Sequence, residues 1–108
     1  MIILVIKKLT PRGFRGITLF PFILLTHKED REDKVIINHE MIHIRQQLEL
    51  LIIPFFLWYG IEFLFRLVQF KNRHLAYRNI SFEKEAYVNE KDLYYLKQRS
   101  FWSFLKYV

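Results

Sequence analysis

The stretch DKVIINHEMIHIRQQLELLIIP, residues 33–54, decides how the rest of the chain is read. Val35, Ile36, Ile42, Leu48 and Leu51 recur near helical spacing, and neither Gly nor Pro interrupts before Pro54. Asp33 stands where an N-cap belongs. The pattern predicts a helix from about residue 34 to 53. On it His39 and His43 lie four residues apart, on one face and about one turn from each other, so both imidazoles can reach one cation. Glu40 follows the first His directly and points beside that cation, where it can hold a water and move its proton. Neutral imidazole suits Zn²⁺. The chain has no cysteine, so His and carboxylate must hold any metal.

Downstream, residues 55–70 read as a second helix, apolar on nearly every side apart from a stripe of Glu62, Arg66 and Gln69. Glu62 and Arg66 are four apart in the order that favours a simple ion pair. A polar connection, residues 71–79, leads to Ser81, a good N-cap, and to a third helix over residues 82–98. Four aromatics follow in the tail, Phe101, Trp102, Phe104 and Tyr107, and their expected role is packing on the core rather than gating a cleft.

Upstream, Ile2–Ile6 and Ile17–Leu25 are rich in branched and aromatic residues and read as strands joined by a turn at Pro11-Arg12-Gly13. Pro21 demotes the second to an edge strand, because proline cannot donate to a ladder. Residues 27–34 read as a solvated loop. The expected fold is α+β, a small N-terminal β-sheet packed on three helices. The metal-spaced histidines lie on the first long helix. With 108 residues, one domain spanning 1–108 is expected.

Composition narrows the function classes. Hydrophobic residues make up 52% of the chain, too many for a disordered segment. The net charge is +6, but the 17 basic residues are scattered and no nucleic-acid motif accompanies them, so no nucleic-acid partner is expected. Met1–Ile6 is apolar but short and followed by lysines, the reverse of a signal peptide. The chain is therefore expected in the cytoplasm or at the cytoplasmic face of the inner membrane.

A catalytic zinc site takes three protein ligands and keeps one open position. Glu49 lies about 9 Å further along the helix axis from His43, out of reach. His27 and His74 are isolated among charged residues and read as surface groups. Glu83 and Glu85, at the start of the last helix, are natural carboxylate ligands from a separate element. They face different ways, and periodicity does not choose between them.

His39-Glu40-Met41-Ile42-His43, followed forty residues later by Phe82-Glu83-Lys84-Glu85-Ala86-Tyr87, resembles the gluzincin branch of the zincin metallopeptidases. The resemblance is closest to minimal single-domain minigluzincins and to the helical cores of Ste24/HtpX and BlaR1-type relatives. It implies one zinc per chain on His39, His43 and Glu83, with Glu83 three residues before the small residue Ala86. It implies Glu40 as general base and a peptide or protein substrate. The family often has Asp after the Ala, supporting a ligand His; here Tyr87 stands there. The resemblance further implies that the edge strand at Ile17, Thr18, Leu19 and Phe20 binds an extended peptide antiparallel, and that a tyrosine, Tyr77 or Tyr87, stabilises the oxyanion.

Two competing readings remain at this level. The chain could be a non-catalytic zinc-binding regulatory module of the same fold. Residues 48–70 could also lie at a membrane surface, since Lys71, Arg73 and Arg78 follow them as basic residues do at a cytoplasmic face. Pro54, Gly60, Glu62 and Arg66 favour instead a buried core helix.

Overall fold

The computed structural model describes residues 2–6 and 16–108. The turn expected at Pro11-Arg12-Gly13 lies outside the described residues. Alternating branched side chains form three short strands, β1 (Ile2–Val5), β2 (Gly16–Leu19) and β3 (Phe22–Leu25). β3 lies between the other two, parallel to β1 and antiparallel to β2. The single strand expected over residues 17–25 is thus a hairpin. Pro21 is not inside a strand but in the turn between β2 and β3, where its missing N–H costs the ladder nothing. Among the described residues β2 is an edge strand.

After a short 3-10 helix (Lys28–Glu32), where a loop was expected, five helices follow: α1 (Lys34–Leu50), α2 (Ile52–Phe70), α3 (Arg73–Arg78), α4 (Ser81–Asn89) and α5 (Tyr95–Gln98). The fold is α+β with a small N-terminal sheet, and it carries more helices than the three expected. Asp33 does cap α1, its carboxylate accepting from the N–H groups of Val35 and Ile36 at 3.0 and 3.3 Å. α1 ends three residues earlier than expected. Pro54 falls in the first turn of α2, where no intrahelical donor is needed, so it opens that helix instead of dividing two. The polar connection contains α3, whose N-cap Asn72 accepts from Leu75 N–H at 3.0 Å. The long helix expected over 82–98 is broken between α4 and α5 by the turn around Lys91.

Ser81 opens α4 from inside the helix and does not cap it with its own side chain. Its backbone N–H and hydroxyl both donate to the Glu62 carboxylate, at 2.8 Å for the N–H. A carboxylate from α2 therefore sits at the N-terminus of α4, where the helix dipole favours negative charge. Glu62 also accepts from Trp58 Nε1 at 2.8 Å. The ion pair expected with Arg66 is replaced by these bonds, and Arg66 donates to Gln69 instead.

α1 lies between two apolar clusters. Ile44 packs with Ile23 and Leu25 of the sheet, and Leu50 flanks an aromatic cluster of Phe55, Ile80, Phe82 and Phe104. Phe104 is fully buried against Phe82 and Trp58, and Tyr107 Oη accepts from Asn89 at 3.1 Å. The C-terminal 3-10 helix (Ser103–Tyr107) thus packs on the core. α2 departs from expectation: it is long and apolar enough to cross a membrane, yet Phe55 is its one buried residue. A buried core helix it is not.

Candidate metal centre

α1 carries His39 and His43 toward α4, which delivers Glu83 from its first turn. All three side chains are buried. His39 Nε2 and His43 Nε2 stand 3.2 Å apart, and Glu83 Oε1 lies 3.2 Å from the first and 3.0 Å from the second. Two imidazole nitrogens and one carboxylate oxygen therefore form a nearly equilateral triangle. Tetrahedral ligands at about 2.0 Å from a zinc ion stand about 3.3 Å from one another. The donor set, its spacing and its chemistry fit a single Zn²⁺ ion.

Each side chain of the triangle is oriented by a further partner. His43 Nδ1 lies 2.8 Å from Gln46 Oε1. The amide of Gln46 has no freedom to flip, because its Nε2 donates to Phe82 O at 3.1 Å and to Glu85 Oε1 at 2.9 Å. An amide oxygen only accepts, so His43 Nδ1 carries a proton and Nε2 is the nitrogen that faces the triangle. His39 Nδ1 lies 3.3 Å from Glu90 Oε1. Asn38, the residue before His39, fixes that approach by donating to the carbonyls of Glu90 and Asp92 at 2.8 and 2.9 Å. The support looked for at Tyr87 thus comes from Glu90, and Tyr87 instead lays its ring edge-on to His39 with centroids 4.5 Å apart. Glu83 Oε2 accepts from Tyr59 Oη at 2.7 Å.

The electrostatics of the cluster favour a cation. Burial lowers the pKa of both imidazoles, but Glu83 beside them outweighs it and raises both, with Glu90 adding to the effect on His39. Burial raises Glu83, yet His43 and His39 hold its carboxyl well below the usual carboxylate range. The Glu83 carboxylate is thus the group that stabilises positive charge on the two imidazoles. Burial, reinforced by Glu83, keeps the phenols of Tyr59 and Tyr77 protonated far above their ordinary range.

Glu40 shares a cleft of about 280 Å³ with His43, Glu83, Tyr59, Tyr77 and the strand residues Gly16–Thr18. Thr18 Oγ1 donates to Glu40 Oε2, which ties the carboxylate to β2. Gly16 makes the approach close: a Cβ there would meet Glu40 Oε1, Leu24 O and Leu25 Cδ2, each at 3.2 Å. Gln47 anchors the same strand, donating to Thr18 O at 2.7 Å and accepting from Phe20 N–H at 2.8 Å. Phe20 itself lies in the hairpin turn, so the strand comprises Ile17, Thr18 and Leu19 but not Phe20.

Glu85 points away from the triangle into a buried network with Tyr95, Arg99 and Gln46. Glu49 pairs with Arg99 at 2.6 Å. His27 and His74 are exposed. Tyr77 lines the cleft and shares a hydroxyl hydrogen bond of 3.0 Å with Tyr87. Sequence reasoning missed Gln46, Glu90 and Tyr59. Gln46 stands three residues after His43, a spacing that brings side chains together on a helix. Glu90 stands seven after Glu83, two turns on. Tyr59, inside an apolar run, carried no signal. Compared with known proteins, the chain matches no family model, no curated sequence and no solved structure.

Proposed function

We propose that the chain is a zinc-dependent peptidase of the gluzincin type, with His39, His43 and Glu83 holding one zinc ion and Glu40 acting as general base. The observation that carries the reading is the buried triangle of two imidazole nitrogens and one carboxylate oxygen, 3.0–3.2 Å on each side. Zinc in such a site lowers the pKa of a bound water and polarises a scissile carbonyl. Glu40, facing the same cleft, takes the proton of the attacking water and returns it to the leaving amine. The Thr18 hydroxyl fixes which way that carboxylate faces.

An extended peptide adding to the β2 edge would run past Glu40, with main-chain hydrogen bonds supplying affinity. Thr18 O and Phe20 N–H are already engaged by Gln47, so pairing falls upstream of them, at the main-chain groups of Gly16. Phe55, Phe56 and Ile17 line the cleft and suit an apolar side chain of that peptide. Of the two tyrosines considered for the oxyanion, Tyr77 is the better placed, because it lines the cleft and its hydroxyl stays protonated.

The test compares wild type with Glu40→Gln on a generic peptide substrate at equal zinc content. The reading predicts a loss of hydrolysis of roughly a hundredfold or more with zinc retained. Zinc binding without hydrolysis by the wild type would leave a non-catalytic binding module instead.

A further inference from the structure

We infer that the outer face of α2 binds an anionic lipid bilayer, with the helix lying in the headgroup plane. Ile53, Leu57, Ile61, Leu64, Phe65 and Val68 recur every three or four residues, and each is between 61 and 77% exposed. They form one stripe about 22 Å long at about 1.5 Å per residue. The two charged residues of α2 lie off that stripe. Glu62 turns toward Ser81, and Arg66 is only partly exposed. The usual arrangement of a water-facing helix, apolar side in and charged side out, is reversed. An uninterrupted apolar face of this kind marks an interaction surface.

Charge and aromatic placement select the occupant. Residues 71–82 contain no Asp or Glu, and Lys71, Arg73 and Arg78 are all exposed where the chain leaves α2. Near the other end, Trp102 donates to Glu49 O at 3.3 Å and stacks on Phe101, and the two are 43 and 71% exposed. Amphipathic aromatics at one end of an apolar stripe and basic residues at the other are the composition of a membrane interface. The chain carries a net charge of +6, complementary to anionic headgroups. A second copy would bring the same positive charge. The inner side of α2 is fastened to the fold by Phe55, by Glu62 and by α3, so the helix lies along the surface rather than across the bilayer. α2 also lends Phe55, Phe56 and Tyr59 to the cleft wall, so docking through its outer face holds the cleft beside the membrane.

The inference does not depend on the peptidase reading, and flotation of the full chain with lipid vesicles tests it. Wild type should float with vesicles of phosphatidylcholine and phosphatidylserine, and binding should fall by roughly tenfold or more with phosphatidylcholine alone. The double variant Ile61→Glu/Val68→Glu should stay at the bottom of the gradient while keeping its helical circular dichroism. Should that variant fail to fold, Lys71→Glu/Arg73→Glu, away from the stripe, should still weaken binding to the anionic vesicles. Wild type that never floats with anionic vesicles would overturn the inference. So would a vesicle-free dimer that Ile61→Glu/Val68→Glu dissociates, with no flotation of the wild type, since that outcome assigns the stripe to a second copy.

Discussion

α1 and α2 are consecutive helices of 17 and 19 residues built on opposite plans. α1 buries Asn38, His39, Glu40, His43, Gln46 and Gln47, whereas α2 buries one phenylalanine and turns its large apolar side chains outward. A buried polar group costs free energy unless it is paired. On α1 every one of those six side chains has a partner: Asn38 the end of α4, Gln47 the strand, Gln46 the His43 imidazole, Glu40 the Thr18 hydroxyl, and the two histidines Glu83. The polar interior is a site held in shape. On α2 no described residue covers the apolar stripe, whose side chains are exposed. The proposed cation would complete the inward plan of α1, and the inferred membrane surface the outward plan of α2.

On α1 the polar interior depends on Glu85 of α4. Its carboxylate and the Arg99 side chain are both fully buried and paired, and Gln46 leans on the same carboxylate. Breaking one partner of a buried pair leaves an uncompensated charge. Glu85→Ala should cost about 3 kcal/mol of unfolding free energy by denaturant titration. A loss below about 1 kcal/mol would mean the network does not hold α1 in place. Glu83→Ala should instead abolish metal binding, which separates the two carboxylates by what each loses.

On the α2 side the sharper test is Glu62, the carboxylate that α2 turns inward. Glu62→Ala removes the acceptor at the start of α4 and should cost about 1–2 kcal/mol, the range of a lost helix cap. The change leaves the outer stripe untouched, so vesicle binding should persist. An unchanged stability would mean that the inward face of α2 is not what fastens it to the fold.

The elements differ in how much of each is legible in the sequence. α1 was legible because cap, periodicity and metal spacing agreed within one continuous stretch. The hairpin was not, since Ile17–Leu25 is apolar throughout and the turn at Pro21 leaves no polar break. The helix over 82–98 read as continuous because its apolar positions keep their spacing across the turn near Lys91. Pro54 misled in the same manner, since proline signals a helix start as readily as a helix end. The exposure of α2 could not be read from composition, because an apolar helix looks alike whether it faces protein or lipid. Within the site, His39, Glu40 and His43 followed from local spacing. Glu83 came with the resemblance, and it is the one that meets the histidines. Tyr59 and Glu90 reach the centre only through the packing of α2 and α4 against α1, a long-range relation that spacing along the chain does not encode.

The proposed function stands on two imidazoles and one carboxylate making a metal site. Metal analysis of the purified full chain, by elemental quantitation after exhaustive dialysis against metal-free buffer, tests it most directly. One zinc ion per chain is expected in the wild type and in Glu40→Gln, and almost none in His39→Ala or Glu83→Ala. A wild type that retains no zinc, or a His39→Ala variant that keeps full occupancy, would contradict it.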